Sequence, residues 1–375
     1  MIVARIPLRL LGTILLAGVV LLGYGQSTLS GKIIDQKTGE PVPFASVFFA
    51  HTTVGTASLV DGTFTLSRFP DGKYDLVVEV VGFKSHKQPL EFQQGQYRIE
   101  ITLEQDNVHL DSITVIADQS DKQYLPVFTR FFVGDSRSAK SCKILNPEVL
   151  HFYFDSKRNY LSVSARKPVQ VLNPELGYKV HYTLERFGLD FTSGAKVMQG
   201  SPRFEELPFT NRKDSAAREK KRNAAYQGSM FHFMRALYLD KLEDERFRLL
   251  IADSSETSGA SAWDEVLTPF LRDSLVSGSK VRQLNFQGLL KLEYQRPEDW
   301  EYPGRMLSRY RGRNPNGFQQ TYVRFKDPSL KIYENGYFSE QLSVYLTGYL
   351  VWRETVSNMV PLGHEVVSKK KKKKK

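Results

Sequence analysis

Short runs of alternating apolar and polar residues recur from residue 28 to residue 117, separated by Gly, Pro and Asp. Leu29 to Ile34, Phe44 to Ala50 and Thr63 to Leu66 are examples, and the strongest turn signal between them is Asp61–Gly62. Turn signals about ten residues apart, with no helical period, are typical of two packed sheets. The pattern predicts an all-β, antiparallel sandwich over residues 28–117.

The pattern changes after a polar stretch that contains Pro126, which we interpret as a linker over residues 118–127. Residues 128–366 combine alternating aromatic runs with a helical period between Asp214 and Leu242, interrupted by Gly228. A further helix, or two short ones, is expected over Trp263 to Val276. This half is predicted to be an α+β domain.

The amino terminus has the three parts of a secretory signal peptide. Arg5 and Arg9 precede an apolar run from Leu10 to Leu22, and small residues follow it. The run is shorter than the roughly 20 residues that span a bilayer. We therefore expect residues 1–25 to be a signal peptide and the rest to be secreted into the periplasm or to the outer membrane. No cysteine follows the run, so a lipoprotein anchor is not expected.

The formal net charge of +11 comes mostly from the two ends of the chain. Lys369–Lys375 contribute seven charges and Arg5 and Arg9 two, so the body is nearly neutral. This distribution does not favour nucleic-acid binding. Residues 367–375 form a polylysine tail, which could be solvated or could contact an anionic membrane surface.

The sequence contains no recognisable motif for binding a metal or a cofactor. Cys142 is the only cysteine, which excludes an intramolecular disulfide and a cysteine-based zinc site. No HExxH pattern, GxxxxGK phosphate loop or GxGxxG turn occurs, and no pair of carboxylates stands out as a glycosidase pair. No metal or cofactor is expected.

Several phrases resemble the carboxypeptidase regulatory-like domain, a prealbumin-like or Ig-like sandwich common in bacterial envelope proteins. They are GKIIDQKTGEPVPFASV, GTASLVDGTFTL, YDLVVEVVGFKSH and LDSITV. The resemblance implies a noncatalytic module, despite the enzyme in its name. The same module precedes the plug and barrel of TonB-dependent transporters, but the remaining chain lacks the series of membrane strands that a barrel needs.

The second half is similar to uncharacterised bacterial proteins that carry this domain in front. LNPEVLHFYF, NPELGYKVHYTLERF, NAAYQGSMFHFMRAL and ENGYF carry that resemblance. It implies an architecture and no reaction.

The best candidate for chemistry is the phrase YQGSMFHFMR. Ser229 and His232 are three residues apart and would be neighbours on a helix, where a hydroxyl and an imidazole could share a proton. Tyr226 and Arg235 could complete a binding site for an anion. Ser229 lies in no GxSxG elbow, and no carboxylate is placed by sequence to orient His232. A hydrolase site, a polar contact and a structural histidine all remain open.

A second candidate is the loop from Pro297 to Gly317, which mixes arginines with aromatic residues. Trp300, Arg309, Tyr310 and Arg311 could stack on sugars and pair with sulfate, carboxylate or phosphate. The alternative is an interior covered by arginine side chains.

Three classes of function follow from the sequence. The first is a noncatalytic binding or scaffold protein of the envelope, whose partner is another envelope protein, a peptide or a glycan. The second is a hydrolase centred on Ser229 and His232. The third is an accessory subunit of a TonB-dependent transport system.

Overall fold

The computed structural model describes most of the chain after the first 26 residues. The described residues are 27–106, 120–252, 263–265, 275–278, 281–286, 289–297, 299, 301–304, 316–326, 329–339 and 344–364. The predicted signal peptide and the polylysine tail lie outside them, as do the last residues of the predicted sandwich, 107–117.

The amino-terminal part is a sandwich of two sheets, as the alternating pattern predicts. One sheet has three strands in the order β4-β1-β7, and the other has four in the order β3-β2-β5-β6. The strands are β1 (Ser27–Asp35), β2 (Ser46–Phe49), β3 (Gly55–Ala57), β4 (Thr63–Phe69), β5 (Gly72–Glu79), β6 (His86–Phe92) and β7 (Gln96–Leu103).

One pairing departs from the predicted antiparallel arrangement. Strand β1 runs antiparallel to β4 but parallel to β7, with Thr28 opposite Gln96 and Asp35 opposite Leu103. The chain passes through the other sheet between β4 and β7, and such a crossover permits parallel neighbours. The predicted turn at Gly62 is confirmed, because this residue has φ +76° and a Cβ would lie 2.5 Å from the Ile33 carbonyl oxygen.

The core of the sandwich lies between its two sheets. Phe49, Phe69, Tyr74 and Phe92 form a cluster of rings whose centroids lie 4.9 to 6.3 Å apart. The outer face of the four-stranded sheet is buried as well. Phe48, Ala50 and Val77 form a separate apolar cluster there, so this sheet is covered on both sides.

Most of the stretch that we interpret as a linker is helical. Ser120–Phe132 forms a helix, α1, which contains Pro126 and begins within residues 118–127. Phe128 and Phe132 lie one turn apart and are fully buried, with their rings stacked at 4.6 Å. Packing of these rings therefore outweighs the polar composition and the proline that suggested a linker.

Helix α1 packs on a six-stranded sheet, where Phe128 contacts Phe152 and Phe187. The order is β8-β11-β12-β10-β9, and β13 pairs with the long strand β12. The strands are β8 (Lys143–Ile144), β9 (Leu150–Asp155), β10 (Tyr160–Ala165), β11 (Val169–Asn173), β12 (Tyr178–Asp190) and β13 (Lys196–Glu206).

The helical element predicted between Asp214 and Leu242 is confirmed, including its interruption. Helix α2 covers Arg212–Tyr226, helix α3 covers Met230–Tyr238, and Gly228 lies between them with φ +82°. A Cβ on Gly228 would approach the Tyr294 ring to 2.6 Å, so glycine meets both a backbone and a packing requirement. A short helix, α4, follows at Tyr349–Arg353.

Two further sheets complete the α+β half. One has five strands in the order β15-β14-β18-β19-β21, and the other has three in the order β16-β17-β20. The strands are β14 (Phe247–Ala252), β15 (Trp263–Glu265), β16 (Leu275–Gly278), β17 (Val281–Asn285), β18 (Leu289–Pro297), β19 (Phe318–Phe325), β20 (Ser329–Tyr333) and β21 (Val344–Gly348).

The helix expected over Trp263 to Val276 is wrong at both described ends. Trp263–Glu265 pairs with β14, and Leu275–Gly278 pairs with β17. Neighbouring strands supply backbone partners to both segments, and this tertiary pairing outweighs their local helical pattern. Residues 266–274 lie outside the described part of the chain.

The sandwich and the α+β half share side chains at their boundary. Tyr333, Tyr337 and Leu362 belong to the core cluster of the sandwich, although the chain reaches them only after the α+β strands. The Tyr337 hydroxyl donates to Asp75 Oδ1 at 2.9 Å, and the Asn335 amide donates to the Lys73 carbonyl at 3.0 Å. The two halves are therefore joined by an interface of packed rings and hydrogen bonds.

Candidate functional site

The residues of the YQGSMFHFMR phrase meet at the junction between α2 and α3. Helix α2 ends at Tyr226, and Ser229 is the N-cap of α3. Ser is favoured at an N-cap because its hydroxyl accepts an N–H that the first helical turn leaves without a partner. The chain thus reverses direction at Gly228 and places Ser229 and His232 together, as their spacing predicts.

Ser229 uses its hydroxyl to cap the helix. The Oγ accepts a hydrogen bond from the backbone N–H of His232 at 3.2 Å, and no bond joins it to the imidazole ring in the described structure. A nucleophilic hydroxyl needs a base that accepts its proton. The contact between Ser229 and His232 is therefore one of helix capping.

Both ring nitrogens of His232 have hydrogen-bond partners. Nδ1 accepts the backbone N–H of Gly228 at 2.9 Å, and Nε2 lies 3.0 Å from Oε2 of Glu245. Because Nδ1 accepts, the geometry assigns the ring proton to Nε2, which donates to the carboxylate. His232 is 4% exposed, and burial lowers the pKa of its ring, while Glu245 opposes that effect.

Glu245 is the partner that the sequence did not reveal. It lies 13 residues after His232, beyond the end of α3, among acidic residues that are typical of a solvated turn. Its carboxylate is half-exposed, while the imidazole is buried. No spacing rule connects such a turn to the start of a helix, because the contact depends on how the chain folds back after α3.

Tyr226 and Arg235 contact the final described segment. The Tyr226 ring is buried, with its centroid 4.9 Å from the His232 ring and 5.6 Å from the His364 ring. Arg235 Nη1 lies 3.5 Å from the His364 carbonyl oxygen. The structure thus brings all four predicted residues together, and their described contacts are with the protein itself.

Arg353 stabilises the same junction and was not singled out by its sequence. Its guanidinium donates to the carbonyls of Gln227 at 2.7 Å, Ala224 at 2.6 Å and Ala225 at 3.2 Å. These groups lie at the carboxyl end of α2, where carbonyls lack helical partners and a cation is favourable. Because Arg353 belongs to the last turn of α4, these hydrogen bonds join α4 to the end of α2.

The cavity beside Gly228 is small. Its volume is about 10 Å³, which is room for about one water molecule. Phe247, Leu292 and Tyr294 supply much of its lining, together with Gln319. Among the described residues, this cavity is therefore too small for a substrate.

The second predicted site lies outside the described residues. None of its four residues is described, namely Trp300, Arg309, Tyr310 and Arg311. Their role in stacking and ion pairing therefore stays a prediction. Among the residues that are described, no group of three His, Cys, Asp or Glu side chains is arranged to hold a metal ion. Burial raises the pKa of Cys142 to about 12, which keeps the thiol protonated near neutral pH.

Exposed apolar side chains gather at one end of the sandwich. Ser46 pairs with both Ala57 and Glu79, so the loops beside these residues leave the sheet at the same end. These loops carry four exposed residues that we call the apolar tip: Phe44 (71% exposed), Leu59 (63%), Val60 (74%) and Val81 (85%). Exposed apolar groups in one place are typical of interaction surfaces.

Phe44 is also held in an unusual backbone conformation. Its φ is +57°, a left-handed value that is rare for a bulky residue, and its N–H donates to the Ser58 carbonyl at 3.0 Å. Such a conformation costs about 1–2 kcal/mol. The fold therefore keeps a large ring in water at a cost in backbone strain, which points to a role for this ring outside the fold.

Comparison with known proteins identifies the class of the amino-terminal domain. Residues 29–115 match the family model described as a CarboxypepD_reg-like domain. The sandwich is thus a carboxypeptidase regulatory-like domain, as its sequence motifs indicate. The match ends at residue 115 and does not extend to the α+β half. No curated protein matches the chain significantly.

Solved structures show only weak likenesses. A 3-chlorocatechol 1,2-dioxygenase from Rhodococcus opacus 1CP is 11% identical with a TM-score of 0.19, and the alignment covers 22% of this chain and 60% of that one. A DUF3823 family protein from Bacteroides ovatus is 13% identical with a TM-score of 0.18, covering 49% and 82%. A streptococcal ancillary pilin is 9% identical with a TM-score of 0.20, covering 50% and 55%.

These likenesses do not identify a fold shared over the whole chain. The present chain spans only 54 to 60% of the length of the three dioxygenase chains that it matches.

None of the helices in the described residues has the length and apolar character needed to cross a membrane.

Proposed function

We propose that the protein is a noncatalytic binding or scaffold protein of the bacterial envelope. It is exported across the inner membrane by residues 1–25 and works in the periplasm or at the outer membrane. The apolar tip is the observation that carries this proposal. It presents Phe44 and Val81 to solvent at the end of β2 and β5 that carries Ser46 and Glu79.

The position of the tip supports a role in binding. Contacts with the α+β half are made by His51 and Asp75, at the opposite ends of β2 and β5 from Ser46 and Glu79. Glu79 also contacts that half, because its carboxylate lies close to the Thr183 hydroxyl. The four tip side chains are nevertheless 63 to 85% exposed with both halves in place, so a partner can reach them without separating the halves. The aliphatic side chains of Leu59, Val60 and Val81 cannot donate or accept hydrogen bonds, so an apolar protein surface suits them better than a glycan.

The junction between α2 and α3 supports the noncatalytic part of the proposal. A Ser–His hydrolase needs a hydroxyl bonded to an imidazole and a site for the substrate beside them. Here the Ser229 hydroxyl caps a helix, the His232 ring is hydrogen-bonded through both nitrogens, and the adjoining cavity has a volume of only about 10 Å³.

Site-specific photocrosslinking in cells tests the binding role. A photoreactive amino acid replaces Val81 at the tip, and in a matched control it replaces Glu100, an exposed residue on β7. We expect a discrete adduct with an envelope protein from position 81 and not from position 100. The absence of an adduct at position 81, or the same adducts at both positions, would contradict the proposal.

A further inference from the structure

His51 occupies the point where three segments of the chain meet. It follows β2 in the sandwich, and its backbone bonds to two parts of the α+β half. The His51 N–H donates to the Pro202 carbonyl at 2.6 Å, and the Leu362 N–H donates to the His51 carbonyl at 2.6 Å. Next to it, Thr52 and Arg203 form a parallel bridge, in which the Phe204 N–H donates to the Thr52 carbonyl at 2.9 Å.

The His51 ring packs against an aromatic residue at the same boundary. Its centroid lies 5.4 Å from the Phe231 ring, and the two rings are nearly perpendicular at 85°. Phe231 packs against all three large core clusters, one in the sandwich and two in the α+β half. A change at His51 is therefore transmitted to a ring on which both halves depend.

Charged groups around His51 act in opposite directions. Lys87 on β6 disfavours a positive ring, and Glu185 on β12 favours one. These two are paired with each other at 3.1 Å, and Lys87 also lies 3.5 Å from Asp75 on β5. The other elements packed here carry Arg203 on β13 and His364 in the final segment.

From this arrangement we infer that His51 is an acid-sensitive contact between the sandwich and the α+β half. Protonation of its ring places a positive charge in a half-buried position beside Lys87, and the interface opens more often as the pH falls. The role is independent of the proposed binding function. It requires only that the half-buried ring be neutral when the interface is closed.

The direction of the pH dependence follows from the surroundings of the ring. Burial, with a smaller effect of Lys87, lowers the pKa of His51 to about 4 in the closed structure. An exposed histidine has a pKa of about 6.5. The open state therefore binds more protons between these values, so closure is fully stable above pH 6.5 and weakens as the pH falls toward 4.

Hydrogen exchange on the full-length secreted chain measures the opening. The N–H groups of Leu362 and Phe204 are the reporters, because each donates across the boundary. With the two pKa values above, lowering the pH from 7 to 5 should reduce their protection factors by about twentyfold. Amides within the pairing of β1 with β4 should keep their protection.

Substitutions separate His51 from other groups that titrate. His51→Asn removes the titrating ring and keeps a residue that tolerates left-handed backbone, so it should abolish the loss of protection. His151→Asn, on β9, is the matched control and should leave the loss unchanged. Lys87→Met leaves Glu185 without its partner, so the loss should become smaller.

The ring itself gives an independent reading by nuclear magnetic resonance. A His51 ring that titrates near 6.5 in the folded wild-type protein would overturn the inference, even if the His51→Asn variant does not fold. Unchanged protection between pH 7 and pH 5, or an equal loss in folded His51→Asn, would overturn it as well. A ring that stays neutral down to pH 5 together with the expected loss supports it.

Discussion

The two sheets of the sandwich differ in how many of their faces are buried. The three-stranded sheet buries one face and exposes polar residues such as Thr65 and Glu100 on the other. The four-stranded sheet buries both, with Phe49 toward the sandwich core and Phe48 under the α+β half, where the Arg203 guanidinium lies 6.0 Å from the Phe48 ring. The regulatory-like domain therefore packs against the α+β half through its four-stranded sheet. Only the three-stranded sheet exposes its outer face to solvent.

The largest expected effect comes from placing a charge on the covered face. Val77→Asp would bury an unpaired carboxylate and should lower the free energy of unfolding by about 4 kcal/mol or more. The matched control is Thr65→Asp on the exposed face of the other sheet, for which we expect less than about 1 kcal/mol. Denaturation midpoints of the full-length protein measure both.

Equal losses in the two variants would contradict the difference between the sheets. If Val77→Asp does not fold, Val77→Ala provides a milder test, with an expected loss of about 2 kcal/mol. A loss near zero would show that the outer face is open to solvent.

A smaller effect is expected from one hydrogen bond across the interface. Tyr337→Phe removes the hydroxyl that donates to Asp75 and keeps the ring in the sandwich core. Because the acceptor is a carboxylate, we expect a loss of about 1.5–3 kcal/mol in unfolding free energy.

Tyr345→Phe is the corresponding control, since Tyr345 is exposed on β21. It should change stability by less than about 0.5 kcal/mol. Thermal or chemical unfolding of both variants under the same conditions measures the two changes in unfolding free energy. Indistinguishable curves would show that the hydrogen bond across the interface does not contribute to stability.

The smallest expected effect has the opposite sign and concerns the apolar tip. Phe44→Asn relieves a left-handed phenylalanine and should raise the free energy of unfolding by about 0.5–1 kcal/mol. Val81→Asn removes an exposed apolar side chain without any positive φ, so it should leave stability unchanged.

Phe44→Asn should nevertheless weaken the crosslinking that a photoreactive residue at position 81 gives. A gain in stability together with a loss of binding would be the pattern expected where function maintains a strained residue. Destabilisation by Phe44→Asn would instead show that the ring supports the fold.

The sequence carried more information about the covered sheet than alternation alone reveals. Strands that bury one face alternate, as Thr63 to Leu66 does, whereas Val47 to Ala50 and Leu76 to Val78 are uninterrupted apolar runs. Such runs indicate burial on both faces. The identity of the covering elements could not be predicted, because β12 and β13 reach this sheet only through the tertiary fold.

The candidate site shows a similar limit. Spacing predicted Ser229 and His232 as neighbours on one helix, whereas Ser229 lies at the N-cap and contacts the backbone N–H of His232. Gly228 was correctly predicted to interrupt the helix. The chemistry of the site depended on Glu245 and Arg353, which arrive from a turn and from a distant helix. Local patterns determine which residues are adjacent, whereas the partners that occupy their polar atoms depend on contacts far apart in sequence.

The parallel pairing of β1 with β7 has a consequence for the order in which the domain can form. Strand β1 is central in its sheet, yet one of its partners lies far along the chain, as the bond from Ser30 to the Tyr97 carbonyl across 67 positions shows. Contacts over such separations close late and slow folding. During synthesis, the edge of β1 that pairs with β7 has no hydrogen-bonding partner until β7 has left the ribosome.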